Sequence, residues 1–266
     1  MVRDNMPVNL SPAQWKELEA RFKFTPEKKE QPATLSIIAQ DLLDLEKCKS
    51  YLDRLASEIG APTRRVAASM LAKRYAFLYV APVLYAMTVY NKGLPLTLNN
   101  CRLASPDESE SKVSGSKFPN LSMDGLEITE PEAGKRLEWR EQMLRQLFAE
   151  HLSPLFRSLS VAGKVPLAIL WENAFVRVAP LYEDGLEEAE GDPSVIQRLH
   201  DDFEFMTETA PAALFGERRN PLAKFAKPTK AGMAGEMLTS IRQTCCFYYE
   251  MSSEYCRACP KPLNCY

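Results

Sequence analysis

The sequence predicts a mainly α-helical fold with a small antiparallel β-sheet, an α+β arrangement that ends in a compact cysteine-rich segment. Three observations lead there. Apolar residues recur at helical spacing over most of the chain. Residues 94–130 instead alternate apolar and polar residues around turn signals. Four cysteines then fall between residues 245 and 259, in a chain that holds seven in all.

The first helix is expected at Ser11-Pro12-Ala13-Gln14-Trp15, an N-cap followed by proline in the first turn, and runs to about Phe22. Residues 23–33 are charged, contain two prolines and read as a loop. Leu35, Ile38, Leu42, Leu45, Leu52 and Leu55 then mark one helix from Thr34 to about Ile59, stopped by Gly60-Ala61-Pro62. A second long helix is expected over Thr63–Tyr90, kinked at Pro82 and closed by Gly93. The sheet follows in residues 94–130, with Asp124-Gly125 as a turn and a polar loop over residues 105–118. Leu137, Met143, Leu144, Leu147, Phe148, Leu152, Leu155 and Phe156 give an amphipathic helix to about Ser160. Residues 167–182 are apolar on nearly every side and predict a buried helix, and another runs from about Pro193 to Glu208. The expected division is a helical region over 1–93, a small sheet plus helical core over 94–242, and a cysteine segment over 243–266.

A chain of 266 residues with 45% hydrophobic and 26% charged residues is long enough to bury its own core, so it needs no disulfide staples. The net charge of −2 argues against nucleic acid as a partner. The N-terminus has no apolar signal region, which makes the cytosol the expected compartment. There, clustered cysteines are more often metal ligands or catalytic groups than disulfides. The most apolar run, Tyr75 to Tyr90, holds four tyrosines and Pro82. As a helix it spans about 24 Å, short of the roughly 30 Å hydrocarbon layer. No transmembrane segment is expected, although peripheral membrane contact through this surface stays compatible with the sequence.

Cys245-Cys246 and Cys256-Arg257-Ala258-Cys259 carry the chemistry. A C-x-x-C turn brings two sulfurs to one metal, and two such pairs make a tetrahedral sulfur site suited to zinc or iron–sulfur. Adjacent ligands are awkward on one small ion and easier on a [2Fe–2S] cluster, whose terminal ligands are spread over two irons. Iron–sulfur, zinc and a redox dithiol all remain open on spacing alone. Phe247, Tyr248, Tyr249 and Tyr255 could shield such a site from water. Oxidised and reduced clusters of this type carry about −2 and about −3, so nearby cations favour the reduced form. Arg242, Arg257 and Lys261 are the closest in sequence, and with Tyr248 are the expected tuning residues. Cys48 and Cys101 read as free buried cysteines, Cys265 as a spare thiol, and His151 and His200 as packed or surface residues.

The tail Arg242-Gln243-Thr244-Cys245-Cys246-Phe247-Tyr248-Tyr249 with Cys256-x-x-Cys259 resembles the FhuF-like ferric siderophore reductases. Ile169-Leu170-Trp171-Glu172-Asn173 and Asn220-Pro221-Leu222 resemble two further stretches of that family, and Pro82-Val83-Leu84 a third more weakly. The resemblance covers about residues 70–260. The gap between Cys246 and Cys256 is one residue shorter than the family pattern, a cheap change in a loop. The resemblance implies that Cys245, Cys246, Cys256 and Cys259 hold a [2Fe–2S] cluster in the segment 243–266. It also implies one-electron reduction of siderophore-bound Fe3+, often in a hydroxamate, within the cytosol.

No dinucleotide or flavin motif is present, so electrons are expected from a ferredoxin or an NAD(P)H-dependent reductase. Arg218, Arg219, Lys224, Lys227 and Lys230 form the basic segment expected to meet the substrate or the donor. Trp171 and Asn173 are expected to pack in the core. Two other readings compete. One is a zinc-stapled helical module that binds a siderophore or partner without redox activity. The other is a relative of aerobactin-type synthetases, which share helical regions with this family; the short chain and the lack of a nucleotide-phosphate loop argue against it.

Overall fold

The computed structural model describes residues 9–24, 35–106, 111–112, 115–188, 192–226 and 241–264. Helix α1 (Pro12–Phe22) forms where the sequence places it. The Ser11 hydroxyl accepts the Gln14 N–H at 3.2 Å, and the Gln14 side chain accepts the Ser11 N–H at 2.8 Å, a reciprocal cap.

The single helix expected from Thr34 is divided. Ser36–Ile38 is strand β1, Ala39–Leu43 a 3-10 turn, and Leu45–Ile59 helix α2. Asp44 explains the division. Its carboxylate accepts the N–H groups of Glu46 and Lys47 at 3.0 and 2.9 Å, which fixes the helix start there. The β-branched Ile37 and Ile38 suit the strand. β1 pairs antiparallel with β2 (Cys101–Ala104), with Ile37 opposite Leu103, and β2 pairs with β3 (Asn120–Met123), with Leu103 opposite Leu121. The sheet is thus the expected small antiparallel one, with a strand recruited from a stretch read as helix.

The second long helix is also interrupted. α3 (Arg64–Tyr75) passes through a π turn at Ala76–Val80 into α4 (Ala81–Thr88), with Pro82 in the first turn of α4. Proline has no N–H for the regular ladder and its ring crowds the carbonyl four residues back, and a widened turn relieves both. The same pattern recurs further on. α5 (Arg136–Arg145) passes through a π turn at Gln146–Leu152 into α6 (Ser153–Gly163), with Pro154 in its first turn. Gly93 does not close a helix. It bridges Thr129 by hydrogen bonds of 2.8 and 3.0 Å, and Asn91, at φ 54°, turns the chain in its place.

α7 (Leu167–Glu188) and α8 (Pro193–Glu204) follow, and a π turn at Phe205–Thr209 extends α8. α2, α3, α6 and α7 pack as one layer around a single core, with the sheet against the first π turn. α3 and α6 approach closely at Gly163, where a Cβ would stand 2.4 Å from the Cβ of Ala68. Among the described residues no helix is long and apolar enough to cross a membrane.

The first two π turns meet at His151, which is buried rather than exposed. Its Nδ1 lies 3.2 Å from the Leu96 carbonyl and its Nε2 2.5 Å from the Tyr75 hydroxyl, while the Tyr79 ring stacks at 4.0 Å. A carbonyl only accepts, so Nδ1 carries the proton and Nε2 accepts from Tyr75. Burial lowers the His151 pKa to about 3.

In the window between that value and the ordinary histidine value, the unfolded chain binds a proton that the folded chain does not. Unfolding free energy therefore drops as pH falls from about 6 to about 4, by up to about 1.4 kcal/mol per pH unit from this group. In urea titrations, His151→Gln should lose stability overall yet show a pH slope shallower by about that amount. Parallel slopes for the two proteins would contradict the assignment.

Candidate metal centre

Two consecutive residues of α7, Glu172 and Asn173, dock the cysteine tail, the second through Ser69. Trp171 is core, packed among Phe148, Phe156 and Phe215 at centroid distances of 6.1, 5.4 and 6.4 Å, as expected. Glu172 is 2% exposed, and its carboxylate faces the tail. It accepts the N–H of Gln243 at 2.5 Å and of Thr244 at 2.8 Å, and also the Thr244 hydroxyl. The Arg242 guanidinium stands 3.5 Å away. A buried carboxylate is tolerated only with such a set of donors and a counter-ion.

Asn173 donates to the Ser69 carbonyl at 2.8 Å and hydroxyl oxygen at 3.0 Å, and the Ser69 hydroxyl donates to the Cys246 carbonyl at 2.9 Å. Arg242 also ties the tail to itself. Its Nε donates to the Thr244 carbonyl at 3.1 Å, and its backbone N–H to the Ala258 carbonyl, inside the C-x-x-C turn, at 3.0 Å.

The turn is closed by the Cys259 N–H donating to the Cys256 carbonyl at 2.9 Å. Cys246 is 1% exposed, whereas Cys245, Cys256 and Cys259 are half-buried. The Cys246 and Cys256 sulfurs are 3.5 Å apart. Two thiolates on one tetrahedral metal at roughly 2.3 Å stand about 3.8 Å apart, so this pair is already near ligand spacing. Cys245 takes a hydrogen bond on sulfur from the Phe247 N–H at 3.4 Å, made possible by Phe247 at φ 66°. Burial raises the Cys245 pKa, and the nearby Cys246 and Cys259 add to that.

The hydrogen bond from Cys256 lowers the Cys246 pKa and raises that of Cys256. Arg242 and Lys73 favour the Cys246 thiolate further, against the opposing effect of burial. Among the described residues, Arg242 Nη1 is buried without a hydrogen-bond partner, a donor within electrostatic reach of both thiols. Among the described residues, no three His, Cys, Asp or Glu side chains are already gathered around one point. The donor set, the near-ligand sulfur pair and the orphan donor nevertheless fit a thiolate-bound metal group.

The expected tuning residues divide. Arg242 lies inside the docking network, and the Lys261 ammonium sits 3.5 Å from the Tyr249 ring centroid, within reach of Cys245. Tyr248 packs on the body with the Lys73 ammonium 5.7 Å from its ring centroid. Arg257 is exposed on the turn. Of the basic segment, the Lys224 carbonyl accepts from the Gln243 side chain at 2.9 Å. Arg218 and Arg219 are exposed, with no hydrogen bond or ion pair to the tail among the described residues. Lys227, Lys230 and Cys265 lie outside the described residues. Cys48 and Cys101 are buried in the body, and His200 is exposed on α8.

Sequence reasoning missed Glu172, Ser69 and Lys73. Glu172 carried a usable signal, a lone acid inside an apolar run, which requires a buried partner. Glu172→Gln should unpair Arg242 and weaken tail docking by about 3 kcal/mol, on the order of a hundredfold in the opening equilibrium. Hydrogen exchange at the Gln243 and Thr244 amides should accelerate by that factor while α3 amides stay protected. Unchanged exchange at both tail amides would contradict the latch.

Two solved structures share the fold at low identity, both aerobactin synthetases from a hypervirulent pathotype of Klebsiella pneumoniae. The IucC structure matches with TM-score 0.50 and 12% identity over 73% of this chain and 36% of that one. IucA matches with TM-score 0.51 and 16% identity over 79% and 46%. The chain therefore spans less than half the length of either synthetase. No curated protein matches it. A family model described as ferric iron reductase FhuF-like transporter matches residues 69–233, more than half the chain, and ends before the cysteine tail. The match begins at Ser69 and includes the α7 residues that hold the tail, and the chain belongs to the FhuF-like ferric iron reductase family.

Proposed function

We propose that this chain reduces siderophore-bound Fe3+ by one electron in the cytosol, using a [2Fe–2S] cluster held by Cys245, Cys246, Cys256 and Cys259. The observation that carries this reading is the docked tail. It sets the adjacent cysteine pair against the C-x-x-C turn with the Cys246 and Cys256 sulfurs 3.5 Å apart. A bound cluster would supply a one-electron carrier.

The protein's own residues do the rest. Glu172 and Ser69 fix the backbone of Thr244 and Cys246, so the ligands keep their places in both redox states. Arg242 and Lys73 place positive charge beside thiolates and favour the reduced form. Phe247 and Tyr248 cover one side against water. Siderophores hold Fe3+ by hard oxygen ligands that bind the larger, less charged Fe2+ more weakly. One electron therefore loosens the chelate with no bond to carbon made or broken, and no general acid or nucleophile is needed. The electron comes from an external donor such as a ferredoxin or an NAD(P)H-dependent reductase.

Anaerobically purified protein should be reddish-brown and bleach with dithionite. Cys245→Ser, Cys246→Ser, Cys256→Ser and Cys259→Ser should each lose the visible absorption. Cys48→Ser and Cys101→Ser, in the body of the fold, should keep it. A colourless protein holding one zinc per chain would establish the zinc-stapled binding module in its place.

A further inference from the structure

Beside the cysteine tail lies a group of cations that the basic segment does not include. Lys73 and Arg74 stand on the last turn of α3, and Arg177 stands on α7, which packs against α3. Phe77 lies between them. The guanidinium carbons of Arg74 and Arg177 are 5.7 and 5.5 Å from its ring centroid. Lys73, Arg74 and Phe77 are half-buried. Arg177 is exposed; protein crowds its head group and, with Arg242, lowers its pKa, yet the side chain remains open to solvent.

None of the three has a carboxylate partner among the described residues. Arg74 donates to the Pro119 carbonyl at 2.9 Å and to the Asn120 side-chain oxygen at 3.1 Å, both neutral. The neighbouring acids are already engaged, Glu172 with Arg242 and Glu250 with Arg65. Uncompensated positive charge, crowded enough for burial and like-charge repulsion to lower the pKa of both arginines, is unusual in a chain of net charge −2. It lies beside the tail: Lys73 stands one helical turn after Ser69, which holds the Cys246 carbonyl, its ammonium is 5.7 Å from the Tyr248 ring centroid, and Arg177 stands one turn after Asn173, which holds Ser69.

We propose that Lys73, Arg74 and Arg177 form the recognition site for an anionic ferric chelate, one that presents free carboxylates, at the Cys246–Cys256 edge. This rests on the redox reading of the cysteines and adds a substrate class to it. The Arg177 guanidinium, with no carboxylate partner among the described residues, takes a carboxylate by paired N–H donors, and Lys73 supplies a second charge from the tail side. Phe77 offers a flat apolar floor between the guanidiniums. A neutral trihydroxamate chelate gains only the floor, whereas a carboxylate-bearing one gains the charges as well.

Gallium(III) chelates test binding without electron transfer, because gallium has the charge and size of Fe3+ and is not reduced. On anaerobically purified protein at low ionic strength, calorimetry should give a Kd for gallium citrate about tenfold below that for a neutral gallium trihydroxamate. Arg177→Gln and Lys73→Gln should each weaken gallium citrate binding by about tenfold and leave the trihydroxamate unaffected. Arg177 is exposed, so its variant decides the matter if Lys73→Gln fails to fold.

Equal affinity for the two chelates would overturn the proposal. So would variants that shift the midpoint potential while leaving both affinities unchanged, which would make these cations partners of the cysteines alone. A colourless wild-type protein that still prefers gallium citrate would retire the redox reading and keep the site. A redox-active protein without that preference would retire only the site.

Discussion

The buried carboxylate of Glu172 is the constraint on which the cysteine site depends. It takes two consecutive backbone N–H groups and a hydroxyl from the tail, with Arg242 as counter-ion. Those donors belong to Gln243 and Thr244, immediately before the adjacent cysteines. Holding them fixes where Cys245 and Cys246 begin. The second anchor, from Asn173 through Ser69 to the Cys246 carbonyl, fixes the next residue. The helical body thus grips a segment that has little regular structure of its own. Because a buried charge is costly when unpaired, this grip is close to all-or-none.

The same region sorts charge by burial. Arg242 lies deepest and serves the carboxylate and the thiols together. Lys73 is half-buried beside Tyr248, and Arg177 is exposed. The three cations thus differ in burial, from Arg242 through Lys73 to Arg177. The fold makes this possible because α3 and α7 cross beside the tail, and α3 is seated against α6 by the close contact at Gly163.

Much of this was legible in the sequence. The cap at Ser11, the small sheet, the burial of Cys48 and Cys101 and the core role of Trp171 all followed from local pattern. The divisions within the long helices did not. Periodicity runs on through Thr34–Ile59 because Leu35, just before the strand, and Leu42, in the 3-10 turn, face the same core as they would from a helix. Pro82 was noted as a kink, but the π turn that precedes it was not foreseen, and the equivalent turn before Pro154 left no trace in the apolar spacing. The cysteines were legible as a site, but what holds them was not. Glu172, Ser69 and Lys73 lie 60 residues or more from the tail in sequence, and only the packing of α3 and α7 brings them to it. The basic segment drew attention as a run of like charges, while Lys73, Arg74 and Arg177 are scattered over two helices and form no such run.

The central claim is that the docked cysteines pass single electrons to chelated ferric iron. It is tested most directly by reducing the protein anaerobically, removing the reductant and mixing it with a ferric siderophore in the presence of a ferrous-specific trap. The account predicts that the bleached visible absorption returns and that one trapped Fe2+ appears for each centre reoxidised. A reduced protein that stays bleached in the presence of every ferric chelate, or trapped Fe2+ that appears without reoxidation of the centre, would contradict it.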